Sequence, residues 1–269
     1  MEEVTLTPKG EIDIMVEAEV ITPDTFATKS ANEIENLVVW QGSHELPLSG
    51  FFDVKGKGGS SAKETSIVIE GDVTRVKRIG EGMTGGSIVI NGSAGMHTGS
   101  GMNGGEIVVN GNADAWAGME MKGGFLHITG DAGDHAGCAY RGSWHGMTGG
   151  KLVIDGSALS QVGGGMSGGV IEVAGSVQNF CGIRQNSGLI IVKGDAVRTV
   201  GAEMSGGTIV VVGTITNFLP GFEYTDTESD LTFDDIVCQG EFKKFAGDHA
   251  IVTQTKGALY VSKNANEDL

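Results

Sequence analysis

The side chains of this 269-residue chain best suited to hold a metal are three cysteines and six histidines, and their spacing argues against a metal site. Cys138, Cys181 and Cys238 are far apart, odd in number and outside any CxxC arrangement, so neither a zinc knuckle, an iron–sulfur cluster nor a disulfide framework is expected. His44, His97, His127, His135, His145 and His249 include no pair at the spacing by which a helix or hairpin presents two ligands. There is no HExxH, no nucleophile elbow and no Walker pattern. GEGMTGGSIVING, from Gly80 to Gly92, is the stretch that most resembles a nucleotide cradle. A phosphate loop, however, opens a helix, whose first N–H groups face the anion, and the residues that follow here are β-prone.

The same stretch returns. GSGMNGGEIVVNG starts at Gly99, GMEMKGGFLHITG at Gly118, WHGMTGGKLVIDG at Trp144, GGGMSGGVIEVAG at Gly163, GIRQNSGLIIVKG at Gly182 and GAEMSGGTIVVVG at Gly201. The seven copies are separated by 19, 19, 26, 19, 19 and 19 residues, and SIVIEGDVTRVKRIG precedes them as a weaker eighth. Seven glycine segments in phase point to a repeat architecture rather than to seven ligand loops.

Each copy carries two aliphatic residues at alternate positions, such as Ile88 and Ile90 or Ile107 and Val109, the pattern of a strand with one face inward. Nineteen residues cannot hold a strand, a helix and two turns. The expected fold is all-β, a right-handed parallel β-helix of seven to eight coils stacked about 4.8 Å apart, with short capping segments at both ends. Gly92, Gly111, Gly130, Gly156, Gly175, Gly194 and Gly213 then fall where each coil turns, and there a positive φ or the crowding of stacked backbones excludes a Cβ. Met83, Met102, Met121, Met147, Met166 and Met204 form an internal stack, while Gln185 takes that place in the sixth copy. Asp72, Asp131 and Asp195 follow the turn glycine and are read as bonding local backbone, not as acids or bases.

The net charge of −16 opposes binding to nucleic acid. Residues 1–82 carry 15 acids against 8 bases, 83–222 carry 9 against 6 and 223–269 carry 10 against 4, so the repeats are nearly neutral and the ends acidic. With 46 glycines but only 4 prolines, and aliphatic residues between the glycines, the chain is neither collagen nor linker. No stretch reaches the length of a membrane span, no leader is evident, and the cytoplasm is the expected location. Three segments are expected: a cap over 1–62, with short helices starting at Thr22-Pro23 and Ser30-x-x-Glu33; the β-helix over 63–222; and 223–269, read as irregular chain followed by a hairpin at HAIVTQTKGALYVSK.

One column remains for recognition. Fourteen residues past each motif Met, or past Gln185 in the sixth copy, stand His97, Trp116, His135, Gln161, Phe180, Thr199 and Phe218, and their neighbours read as inward. The column is expected to point outward, either as a partner surface or as a stripe covered by the chain's own ends. His97 and His135 would stand about 9.6 Å apart, too far to share one metal. The extra seven residues fall at AYRGSWH, a loop whose Tyr140, Arg141, Trp144 and His145 include the residue types of interface hot spots. The candidate partner interface is therefore His97, Trp116, His135, Tyr140, Arg141, Trp144, His145, Phe180 and Phe218, with no catalytic, cofactor or metal residue in the chain.

The repeat G-x-x-M-x-x-G-x-[IL]-x-[IV]-x-G, the opening LTPKGEIDIMVEAEVITPD and the late GEFKKFAGDHA resemble the C-subunits of archaeal formylmethanofuran dehydrogenase. The glycine repeat is similar to that of the C-terminal β-helix of glutamate synthase, which belongs to a much longer chain. The resemblance implies a scaffold role in a complex that reversibly reduces CO2 and couples it to methanofuran, the first step of methanogenesis from CO2. It implies that the tungsten- or molybdenum-pterin, the iron–sulfur clusters and a binuclear metal site lie in amidohydrolase-like, pterin-binding and ferredoxin-type partner subunits. Membership of a bacterial formyltransferase/hydrolase complex without redox chemistry is the alternative, and a carbohydrate-active β-helix would need a carboxylate cluster that the sequence lacks.

Overall fold

The computed structural model describes residues 1–250 and 255–269. Strands dominate. The N-terminal segment holds β1 (Glu2–Pro8), β2 (Val16–Glu17), α1 (Pro23–Phe26), α2 (Ala31–Glu35), β3 (Val38–Gln41), β4 (His44–Pro47) and β5 (Phe52–Gly56). Both expected helices form for the expected reasons. Thr22 caps α1 with Pro23 in its first turn, and Ser30 and Glu33 make a reciprocal capping box on α2.

Then follow β6 (Thr65–Ile69), β7 (Val76–Lys77), β8 (Ser87–Ile90), β9 (Glu106–Val109), β10 (Phe125–Ile128), β11 (Thr148–Ile154), β12 (Ser167–Val173), β13 (Val177–Asn179), β14 (Ser187–Val192), β15 (Ala196–Arg198), β16 (Thr208–Val211), β17 (Ile215–Asn217), β18 (Glu223–Phe233), β19 (Ile236–Ala246) and β20 (Ala258–Ser262). Among the described residues the largest sheet has the order β18-β19-β20-β16-β14-β12-β11-β10-β9-β8-β6-β1-β5. It is a mixed sheet, parallel from β1 to β20 and antiparallel at its two outer ends.

Its parallel part is in strict register. Ile67, Ile88, Ile107, Leu126, Leu152, Ile171, Ile190, Ile209 and Leu259 pair in turn, two residues ahead of an equally continuous second column. All are buried, as are the six motif methionines and Gln185. A second line of backbone pairing joins Val73, Ala94, Ala113, Ala132, Ala158 and Val177, then Ala196 and Ile215 through β13, β15 and β17. The termini extend the first column: Val4 and Leu6 of β1 pair with Ile67 and Ile69, and Leu259 and Val261 of β20 with Ile209 and Val211. Each end of the parallel stack thus has its edge covered by another segment of the chain.

Three readings need correction. First, residues 223–246 are not irregular. β18 and β19 form a long antiparallel hairpin whose Leu231, Cys238 and Phe242 pack on Ile191, Val210 and Tyr260 in a second, smaller core. The first arm of the hairpin expected at His249–Lys263 falls largely on residues 251–254, outside the described residues, while Ala258–Ser262 pairs with β16 and β19.

Second, Asp131 and Asp195 bond across repeats rather than locally. Ser93, Asn112, Asp131, Ser157, Ser176 and Asp195 each accept, through a side-chain oxygen, the backbone N–H of the equivalent residue one repeat on, at 2.7–3.2 Å. Of the three aspartates, only Asp72 bonds nearby, to Thr74. Third, the fourth repeat is in phase at Gly137, not Trp144: Met147 donates to the Gly137 carbonyl at 3.1 Å, as Met121 does to Gly118 at 3.2 Å. The seven added residues lie between Cys138 and Gly146, the AYRGSWH where the sequence places them.

The turn glycines are held by crowding rather than by positive φ. A Cβ on Gly111 would lie 2.7 Å from the carbonyl oxygen of Gly92, and Gly130, Gly156, Gly175, Gly194 and Gly213 are crowded in the same way by the preceding turn. The other end of each strand does need φ > 0, as at Gly86, where φ is 77°.

Candidate functional site

The recognition column is built by backbone geometry that disfavours the residues it uses. Arg78, His97, Trp116, His135, Gln161, Phe180 and Thr199 all have φ between 56° and 67°. The left-handed turn lets each of the first six donate its N–H to a carbonyl of the next repeat, for instance His97 to Ala115 at 3.0 Å and Trp116 to Asp134 at 2.8 Å. Glycine would meet that need without steric cost, whereas an L side chain costs roughly 1–2 kcal/mol. The neighbouring left-handed column mixes glycine, at Gly82, Gly101 and Gly165, with Glu120, Arg184 and Glu203, whereas these seven positions hold no glycine.

The side chains are half-buried rather than fully outward, which corrects the expectation. His97 stacks on Trp116 with ring centroids 5.2 Å apart and 9° between planes, and Trp116 on His135 at 4.7 Å and 20°. His97 Nδ1, Trp116 Nε1, His135 Nδ1 and Thr199 Oγ1 are buried without a hydrogen-bond partner among the described residues. Burial lowers the pKa of both imidazoles, with Arg78 adding to the effect at His97, while Asp134 opposes it at His135. At one end the stack follows Arg78, whose guanidinium bonds Glu17 at 2.7 Å and Glu81 at 2.8 Å. At the other end Phe218 packs on Phe245 and Phe222, so there the column is covered by the chain's own C-terminal part.

The seven-residue loop lies across the column. Arg141 reaches over the Trp116 ring, 5.2 Å from its centroid, and Trp144 lies under Arg184, 4.2 Å from its ring centroid. Arg184 also pairs with Glu203 at 2.7 Å, and the Tyr140 N–H donates to Glu120 at 3.0 Å. Tyr140 stays 52% exposed and Trp144 64% exposed, a large apolar area on one loop. His145 is exposed, its N–H donating to Ser143 Oγ. Phe180 is half-buried in its column and belongs to neither the ring stack nor the loop contacts.

The described residues offer no ligand set for a metal ion or an iron–sulfur cluster. Among the described residues no three His, Cys, Asp or Glu side chains converge on one point. Cys138, Cys181 and Cys238 are buried and unpaired, and burial pushes the thiols of Cys138 and Cys181 up to about 11 and about 12, away from the thiolate that a metal needs. Among the described residues no helix is long and apolar enough to cross a membrane. The geometry offers aromatic, guanidinium and imidazole surface, and the His127 Nε2–Asp155 Oδ2 pair, 2.8 Å apart, lies on a strand face away from it.

No protein-family model matches the chain. Curated relatives do. The chain is 66% identical, over its whole length and 89% of the relative, to the C-subunit of the molybdenum-containing formylmethanofuran dehydrogenase 1 of Methanosarcina barkeri. It is 59% identical, over 99% of its length and 98% of the relative, to the C-subunit of the tungsten-containing formylmethanofuran dehydrogenase 2 of Methanothermobacter thermautotrophicus. Among solved structures, it matches a chain of the formyltransferase/hydrolase complex FhcABCD from Methylorubrum extorquens, crystallised with methylofuran, at a TM-score of 0.84 and 31% identity over 96% of this chain and 99% of that one.

Proposed function

The chain belongs to the C-subunit family of formylmethanofuran dehydrogenase, an oxidoreductase complex, and from that premise we propose that it is the complex's non-catalytic scaffold. Its repeats wind as one right-handed parallel β-helix over 63–222, with 1–62 as a cap and 223–269 as a C-terminal segment. The complex reduces CO2 reversibly and couples it to methanofuran in the cytoplasm. Its molybdenum or tungsten pterin, iron–sulfur clusters and binuclear site lie in amidohydrolase-like, pterin-binding and ferredoxin-type partners. Relatives named for molybdenum and for tungsten both match almost the whole chain closely, which supports a metal site outside it.

The observation that carries the scaffold reading is the recognition column. Seven consecutive repeat positions hold bulky or polar side chains in a backbone conformation suited to glycine. Strain held where the fold has an unstrained option points to selection for the side chains themselves. With no catalytic constellation beside them, those side chains serve contact. The partner surface is His97, Trp116, His135, Tyr140, Arg141, Trp144, His145 and Phe180, while Phe218 is turned to the chain's own Phe245.

The test is a native purification through a tag on this chain, with mass spectrometry of partners and metal analysis. The reading expects pterin-binding and amidohydrolase-like subunits together, with iron and molybdenum or tungsten. A metal-poor complex with a formyltransferase would place the chain instead with the complex to which it is 31% identical. An isolated, partnerless chain would overturn the scaffold role.

A further inference from the structure

We propose that the cleft under the loop 139–145 receives a carboxylate side chain, Asp or Glu, from a partner subunit, with Arg141 as its ligand; this rests on the proposed partner interface. The cleft measures about 160 Å³ and is lined by His135, Tyr140, Arg141, Trp144, Gln161 and Arg184, among others. Small-molecule and cofactor sites run to roughly 300–1,000 Å³, so this volume suits one inserted side chain rather than a cofactor.

Its chemistry is one-sided. No acidic residue lines it, in a chain whose net charge is −16. Its donors are the Arg141 and Arg184 guanidiniums, the Gln161 amide and the Tyr140 hydroxyl. Arg184 is already engaged by Glu203 at 2.7 Å, but Arg141 makes no ion pair or hydrogen bond among the described residues and rests only on the Trp116 ring. A guanidinium held over an indole keeps its N–H edge free, and that edge matches a carboxylate in two parallel hydrogen bonds. Tyr140 and Trp144, both exposed, flank it as the apolar rim that excludes water around a desolvated charge pair. Charge complementarity thus selects an acidic partner residue over a basic one.

The experiment uses the whole complex, purified through a tag on this chain from a host expressing every subunit. Three variants are compared with the wild type: R141E, R141K and W144A. R141E gives up only the contact with the Trp116 ring, so the isolated chain should unfold within a few degrees of the wild type, which checks the fold. R141E is expected to lower partner recovery about tenfold or more at 0.15 M salt, since like charges then meet in the interface. R141K should assemble, and a water-soluble carbodiimide should join its new amine to a partner Asp or Glu as an amide, the lost water going to the reagent as urea. Mass spectrometry would identify that linkage. Normal assembly of R141E beside failed assembly of W144A would overturn the acidic-partner inference and leave the interface reading standing. Normal assembly of both would overturn both. Assembly of R141K without a partner cross-link at 141 also counts against the inference.

Discussion

The imidazole of His97 and the indole of Trp116 lie 5.2 Å apart and within 9° of parallel, one repeat of nineteen residues from each other. The spacing is the pitch of the parallel stack itself, about 4.8 Å per repeat, so the register that pairs Ile88 with Ile107 also brings these rings into contact. Core and surface columns are set by one period.

The strain in the column is measurable at Trp116, where φ is 62°. W116A removes the stacking with both histidines and keeps the left-handed cost, and W116G removes the stacking but not the freedom to adopt that φ. W116G should therefore be about 1 kcal/mol more stable than W116A, although the larger side chain is lost in both. Chemical denaturation of the two variants side by side checks it. Equal stabilities would mean that the left-handed turn is not strained.

Acid should loosen the column. Burial holds His97 and His135 below the ordinary histidine value of about 6.5. The unfolded chain then binds protons at a pH where the folded one does not, so stability is complete above about 6.5 and falls as pH drops from there toward the lower folded values. H97Q and H135Q should each flatten the stability profile between pH 7 and 5, on top of a pH-independent loss from the missing ring stacking. Parallel profiles for wild type and variants would refute a neutral, buried pair.

The turn staircase gives a third measurement. Asp195 Oδ1 accepts the Thr214 N–H at 2.7 Å, and that bond lowers the pKa of its carboxyl. The same oxygen accepts from Thr214 Oγ1 at 2.8 Å, so D195A removes two bonds and should cost about 1–3 kcal/mol, roughly 0.5–1.5 kcal/mol net for each. D195N keeps an acceptor and should lie between the two. Because the folded pKa is depressed, the contribution is present above the unfolded carboxyl value and lost as pH falls through the lower folded one. D195A should thus match the wild type most closely in acid.

Much of the fold is legible in the sequence, and what is not has a physical reason. Ile88, Ile107 and their counterparts reveal strand, period and inward face, because alternation at a fixed phase survives any loop sequence. The β18 strand, EYTDTESDLTF, hides itself: most of its residues are exposed, so no apolar alternation marks it. The 26-residue gap reveals the insertion and its length, but Trp144 hides that the repeat starts at Gly137, before the insertion, which the Met147 N–H to Gly137 carbonyl bond shows. That Asp131 bonds the next repeat instead of its own turn depends on stacking distance, which a local motif does not carry. The unpartnered ring nitrogens of His97, Trp116 and His135 follow from burial across three repeats.

Gln185 tests the interior stack. It occupies the methionine position of the other repeats, fully buried, with its Nε2 donating to the carbonyl of Gly188 at 2.9 Å and, at 3.3 and 3.4 Å, to those of Ser187 and Thr208, and its Oε1 unpartnered. An unmet buried acceptor costs on the order of 1–3 kcal/mol, and two of the three Nε2 bonds are long and offset little of it. Q185M should raise stability by about 1 kcal/mol, since six repeats accommodate Met at that phase. A loss of stability on the same substitution would mean that a polar group is required there.

The loop 139–145 separates fold from function most directly. Removing those seven residues joins Cys138 to Gly146 and leaves Gly-Cys-Gly-Met, which differs from Gly-Ser-Gly-Met at Gly99–Met102 only in its second residue. The two ends already meet: a Cβ on Gly146 would lie 3.1 Å from the Ala139 nitrogen, and Gly146 and Ala139 donate to the adjacent carbonyls of Gly165 and Gly164. Closing the gap demands little backbone movement, so the deletion should fold with a melting temperature within a few degrees of wild type. Trp144 and Tyr140 go with it, and with them Arg141 and the cleft. Partner recovery in a tagged purification should then collapse while the isolated chain remains folded. A deletion that assembles normally would show the loop to be a tolerated insertion, and a deletion that unfolds would show that it braces the repeats on either side.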